Sequence, residues 1–140
     1  METWLFYALL ATFFAGATAV IAKFGLGEVR ADFGLAVRTI AVFVLVWLLV
    51  FAQRGWSDWQ KLTPRALGFL LLSGVTTALS WVCYYRAIKL GPVSIVAAID
   101  KGSILVTLLL SFWLLREPAT PKVLLGAGLI LAGLVVLAVR

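Results

Sequence analysis

Five long apolar runs fill almost all of the 140 residues, and nothing else limits the folds open to this chain so strongly. They cover about residues 4–22, 33–52, 66–85, 93–115 and 123–139. Each is close to the ~20 residues that cross a ~30 Å hydrocarbon core at ~1.5 Å per residue. Lipid offers a spanning segment no water, so each run is predicted to be a helix that satisfies its own backbone. Because five is odd, the two termini are expected on opposite membrane faces.

The remaining composition leaves no soluble alternative. Hydrophobic residues make up 64% of the chain and charged residues 13%, with a mean hydropathy of +1.10. A soluble domain carries about 25% charge, so polar surface to cover a globule is missing. In a soluble protein the net charge of +6 would suggest nucleic acid. Here most basic residues stand at span ends, where topology and membrane lipid account for them, and no nucleic-acid partner is expected. With one cysteine and no histidine, neither a disulfide framework nor a metal site is expected, and no cofactor motif is present. Cys83 falls inside an apolar run and is expected to be a small buried packing residue. Spacing reveals no nucleophile–base pair, so the chain does not read as an enzyme. The first run follows Met-Glu-Thr, an acid where a signal peptide has basic residues, and is expected to remain as a span.

The connections are short. Thr63-Pro64 fits an N-cap followed by a first-turn proline, and Gly91-Pro92 ends the third run and is expected to start the fourth in the same way. Pro118 and Pro121 bracket the turn before the fifth run. Only residues 53–65 make a loop of any size, and its Trp56 and Trp59 suit the headgroup region, as do Trp4, Trp47 and Trp113 near span ends. One compact domain over residues 1–140 is expected.

Basic residues are shared evenly between the two faces. Arg54, Lys61, Arg65, Arg116 and Lys122 belong to one; Lys23, Arg30, Arg86, Lys89 and Arg140 belong to the other, with Arg38 joining them if it snorkels outward. Such a balance removes the usual instruction for orientation. Either the insertion machinery fixes one topology for subtler reasons, or the chain inserts both ways and pairs as an antiparallel homodimer. In the fifth run Gly126, Gly128 and Gly133 form a small-residue surface suited to close helix contact, between copies or within one. A small-residue ridge at Ala11, Ala15, Ala19 and Ala22 marks the first run.

Chemistry concentrates at Asp100-Lys101, seven to eight residues into the fourth run. Charges there cost about 2.5–3.5 kcal/mol each on insertion scales and usually face a bundle interior or a wet cavity. On a continuous helix adjacent side chains diverge by ~100°, so each is expected to need a partner elsewhere. Arg38 is a candidate for Asp100 within one subunit, and Lys101 of a second copy is another. A coupling or substrate-binding centre and a purely structural ion pair both fit. The third run adds Ser73, Thr76, Thr77, Ser80 and Tyr84 at helical spacing, with Trp81 and Tyr85 alongside. Hydroxyls and rings on one face suit a small organic substrate, while hydroxyls bonded back to the preceding turn are the plainer account.

Several stretches together resemble the EamA domain: Ser80-Trp-Val-Cys-Tyr-Tyr-Arg-Ala-Ile-Lys-Leu-Gly-Pro, Ala98-Ile-Asp-Lys and the Leu-Arg-Glu-Pro of 115–118. Ala36-Val-Arg-Thr and the Ala-Lys-Phe-Gly of 22–25 fit as well. The chain is most similar to the short five-span members, the bacterial/archaeal transporter branch of the drug/metabolite transporter superfamily. Those members often have proline where this chain has Ala98, and a Gly-Glu-Arg type turn where it has Arg116-Glu117-Pro118. The resemblance implies an all-α integral membrane protein with five transmembrane helices, half of an inverted-repeat ten-helix transporter fold, in a prokaryotic plasma (inner) membrane. It further implies a secondary transporter of small organic metabolites or drugs. An antiparallel homodimer would place the site near the midplane, with Asp100, Lys101 and Arg38 as its charges. The competing expectation is a non-transporting membrane subunit that pairs with another membrane protein.

Overall fold

The computed structural model describes residues 3–138, which form helices joined by short connections, with no strand among the described residues. The helices are α1 (Thr3–Leu26), α2 (Ala31–Ala52), α3 (Pro64–Leu90), α4 (Val93–Asp100), α5 (Ser103–Leu110) and α6 (Pro121–Ala138). A 3-10 helix, Gly55–Lys61, follows α2, and a π-helical turn, Ser111–Leu115, extends α5. Thr3–Leu26, Ala31–Ala52, Pro64–Leu90 and the composite Val93–Leu115 are each long and apolar enough to cross a membrane. The 18 residues of α6 are also apolar and reach about 27 Å at 1.5 Å per residue. Arg140, one of the topology charges, lies outside the described residues.

Local chemistry sets the boundaries. Thr63 caps α3, accepting from the Ala66 amide at 3.2 Å on its hydroxyl and from the Leu67 amide at 2.9 Å on its carbonyl. Pro64 opens the helix, as expected, because its missing N–H costs nothing in a first turn. Thr120 does the same for α6 through the Val123 amide at 3.4 Å, ahead of Pro121. Pro92 differs from expectation by one position: it is the N-cap of α4, held extended at φ −66°, ψ 128°. The loop after α2 is more ordered than its length suggested. Trp56 stacks on Phe51 at 5.8 Å and on Trp59 at 6.3 Å, and Trp47 packs beside Trp56 at 5.9 Å. These offset ring contacts weld the 3-10 helix to the end of α2.

The chain falls into two compact units, residues 22–89 and residues 1–21 with 90–140. In the first, burial is confined to one end of the helices. Leu26, Leu35, Tyr85 and Ile88 are at most 7% exposed, whereas the distant halves of α2 and α3 are open. Gly34 makes this packing possible, since a Cβ there would fall 2.6 Å from Leu26 Cδ2. In the second unit α4 and α5 both pack on α6. Elsewhere leucine, phenylalanine and valine side chains point outward along every long helix. Water would not tolerate that surface, and lipid does.

Candidate functional site

Within residues 22–89, the buried end is closed by an exchange of cations between helix ends. Lys23, in the last turn of α1, donates to the Ile88 carbonyl at 2.5 Å and reaches the Lys89 carbonyl at 3.4 Å. Lys89, in the last turn of α3, returns the contact, donating to the carbonyls of Gly27 and of Val29 at 3.0 Å and reaching that of Leu26 at 3.4 Å. Final-turn carbonyls have no partner in their own helix and carry the negative end of its dipole, so an ammonium satisfies both needs. Beside them Arg86 grips Asp32 with two nitrogens, Nε to Oδ1 at 2.9 Å and a second to Oδ2 at 3.1 Å. Sequence reading counted Lys23, Arg86 and Lys89 only as topology charges. Lysines in final helical turns were the available signal.

Further along α2, the Arg38 guanidinium carbon sits 4.3 Å from the centroid of the Trp81 ring and 5.6 Å from that of Tyr85. Tyr85 is buried and Trp81 half-buried, so the rings form a fixed platform under the charge. The hydroxyls of the third span divide. Thr76 and Thr77 both donate to the Ser73 carbonyl, at 2.9 and 2.8 Å, which is the plainer of the two accounts for these residues. Ser80 is exposed, and the Tyr84 ring lies tilted to that of Tyr85, at 59° with centroids 6.5 Å apart. A shallow groove of about 500 Å³ lies instead on α2, lined by Asp32, Leu35, Ala36, Thr39, Ile40 and Phe43. Cys83 corrects the sequence reading: it is exposed, because its side of α3 faces away from the other helices of its unit.

Within the second unit the fourth span is not one helix. α4 stops at Asp100 and α5 starts at Ser103, and hydrogen bonding between them shortens to three-residue steps. The amides of Lys101, Gly102, Ile104 and Leu105 donate to the carbonyls of Ala98, Ile99, Lys101 and Gly102 at 2.8–3.1 Å. The interruption needs no proline at Ala98. Gly102 supplies it, since a Cβ at that position would stand 2.9 Å from the Ile99 carbonyl oxygen and 3.3 Å from Leu134 of α6. This glycine was missed; its position directly after two charges was the signal. The expectation of separate partners does not hold for the charges: Lys101 Nζ lies 3.6 Å from Asp100 Oδ2, so the two meet within one chain. Neighbouring positions diverge by ~100° or more around a helix, but the flexible four-carbon lysine stem carries its ammonium back toward the carboxylate. The pair is partly exposed and too long for a hydrogen bond. On α6, a Cβ added at Gly126, Gly128 or Gly133 would meet nothing within 4 Å.

Several apolar helices of spanning length define a helical, multi-pass membrane protein. The EamA-like transporter family model matches residues 2–139, and the chain belongs to that family. A Sinorhizobium protein described as an uncharacterized transporter in the cobO 3' region is 37% identical over 138 residues, spanning 99% of this chain and 98% of its own. No solved structure matches.

Proposed function

We propose that this protein is a secondary transporter of small organic metabolites or drugs in the inner membrane of a prokaryote. Its five spans form a single domain over residues 1–140, and two copies inserted in opposite directions complete the carrier. The observation that carries this reading is the broken fourth span, with Asp100 and Lys101 at the break. Discontinuous helices in carriers place charged side chains and unwound backbone near the bilayer midplane, where substrate and coupling ion bind. A lone, partly exposed ion pair at 3.6 Å is weakly held, and protonating Asp100 would release Lys101. Membership of a transporter family and a relative named as a transporter support the same class. The inverted pair is supported by the odd number of apolar segments, the even charge balance and the uncovered glycines of α6. Thr76, Thr77, Ser80, Trp81, Tyr84 and Tyr85 would line the path from α3.

Flux in proteoliposomes across amino acids, quaternary amines and drugs, with and without a pH gradient, tests the proposal. Asp100→Asn is expected to abolish gradient-driven flux while the protein still assembles. Full coupled activity of that variant would remove Asp100 from the mechanism. Obligate copurification with a different chain, in place of a homodimer stabilised by ligand, would favour the partner-subunit reading.

A further inference from the structure

The charges inside the spans do not balance, and the residue left over is Arg38. Within the five apolar runs the charged residues are Arg38, Asp100 and Lys101, and Lys101 lies 3.6 Å from Asp100. Arg38 meets only the rings of Trp81 and Tyr85; no hydrogen bond or ion pair joins it to a described residue. It stands seven residues beyond the start of α2, about 10 Å along the helix. A permanent charge at that depth is costly in lipid. Cation–π contact offsets part of that cost, yet it occupies none of the five guanidinium N–H donors. Those donors form a planar fork that fits a carboxylate with two parallel hydrogen bonds.

We propose that Arg38, held on the Trp81–Tyr85 platform, binds the carboxylate of a small organic monoanion, and that such acids are the substrate class. The assignment rests on the transporter reading above. One uncompensated positive charge matches one negative charge, whereas a phosphate monoester brings about −1.5 to −2. The rings do more than support the charge. Tyr85 is only 4% exposed, so it cannot swing aside, and the guanidinium approaches an incoming anion from a fixed position. Asp100 and Lys101, neutral as a pair, are left to couple transport rather than to select substrate.

The test uses the full chain, in detergent for binding and in proteoliposomes for flux. The probes are benzoate and phenylacetate, their uncharged amides, and benzylamine. Wild type should be stabilised against heat by the acids and should transport them, with the amides and the amine inert in both assays. Arg38→Gln should weaken carboxylate binding about 10- to 100-fold, the usual effect of losing hydrogen bonds to a charged group. Arg38→Lys keeps the charge but loses the fork and should fall in between; Trp81→Leu should weaken binding with Arg38 still present. If Arg38→Gln does not fold, preference of the wild type for acid over amide still decides the matter. Equal response to acid and amide, or undiminished acid binding by Arg38→Gln, overturns the assignment and leaves a transporter of other solutes. Arg38-dependent stabilisation by short-chain phosphatidylglycerol, with none by benzoate, would give Arg38 to a lipid phosphate and overturn it too. Acid binding without flux of any solute would uphold the site and refute the transporter reading.

Discussion

Four basic side chains show how context decides what a charge does in this protein. Lys23 and Lys89 serve helix ends, Arg86 serves a carboxylate, and Arg38 is spread over aromatic rings. Of these, Lys89 carries the most local structure, because its ammonium reaches the Leu26 carbonyl that ends α1 and the Gly27 and Val29 carbonyls of the turn that follows. Lys89→Met keeps the stem and removes the donors, so those carbonyls lose their partner. Hydrogen bonds to charged groups contribute about 1.5–3 kcal/mol, and this variant should lose about that much in total. Thermal unfolding of the purified protein would check it, with Lys122→Met as a control of equal charge. Equal melting temperatures for the two variants would mean that the exchange between α1 and α3 is incidental to stability.

At the level of elements, the interruption of the fourth span is the feature on which the proposed mechanism turns. Gly102→Ala should lower stability by roughly 1–3 kcal/mol, the usual range for overpacking, because the new Cβ meets a backbone oxygen at 2.9 Å. Gly68→Ala on α3, with open space around it, should leave stability unchanged or raise it, since alanine favours helix by about 1 kcal/mol. The two melting curves, measured side by side, decide whether close approach at Gly102 matters. Helices were legible in the sequence because lipid imposes one solution on every long apolar run, and Thr63-Pro64 was legible because caps are local. The break was not. It depends on three-residue hydrogen bonding and on Leu134, thirty-two positions away, coming within 3.3 Å of a missing side chain. Asp100 and Lys101 meet although their neighbouring positions argued for separate partners, because a lysine stem is long and flexible. Cys83 was misplaced because an apolar run was equated with burial, and on a lipid-facing helix apolar residues are exposed by default.

For the molecule as a whole, orientation is the decision that the contacts cannot make. Insertion precedes folding, so Lys23, Arg86 and Lys89 act on topology as free charges before they acquire partners. In the folded chain the hydrogen bond from Lys61 to Asp58 at 2.5 Å holds its ammonium above the ordinary 10.5. With five spans, five basic residues on one face would compete with five or six on the other, and the positive-inside rule would give no winner. Such a balance is easily tipped. C-terminal fusions to one reporter active only outside the cytoplasm and one active only inside should both work on the wild-type chain. Replacing Lys61 and Arg65 with alanine should silence one of them, because the face carrying Lys23, Arg30, Arg86 and Lys89 then becomes the more basic and is retained inside. That face lies across the membrane from the N-terminus and on the side of the C-terminus, so the reporter active inside should survive. A wild-type chain that activates only one reporter has a single topology, and the inverted pair would then have to come from another protein.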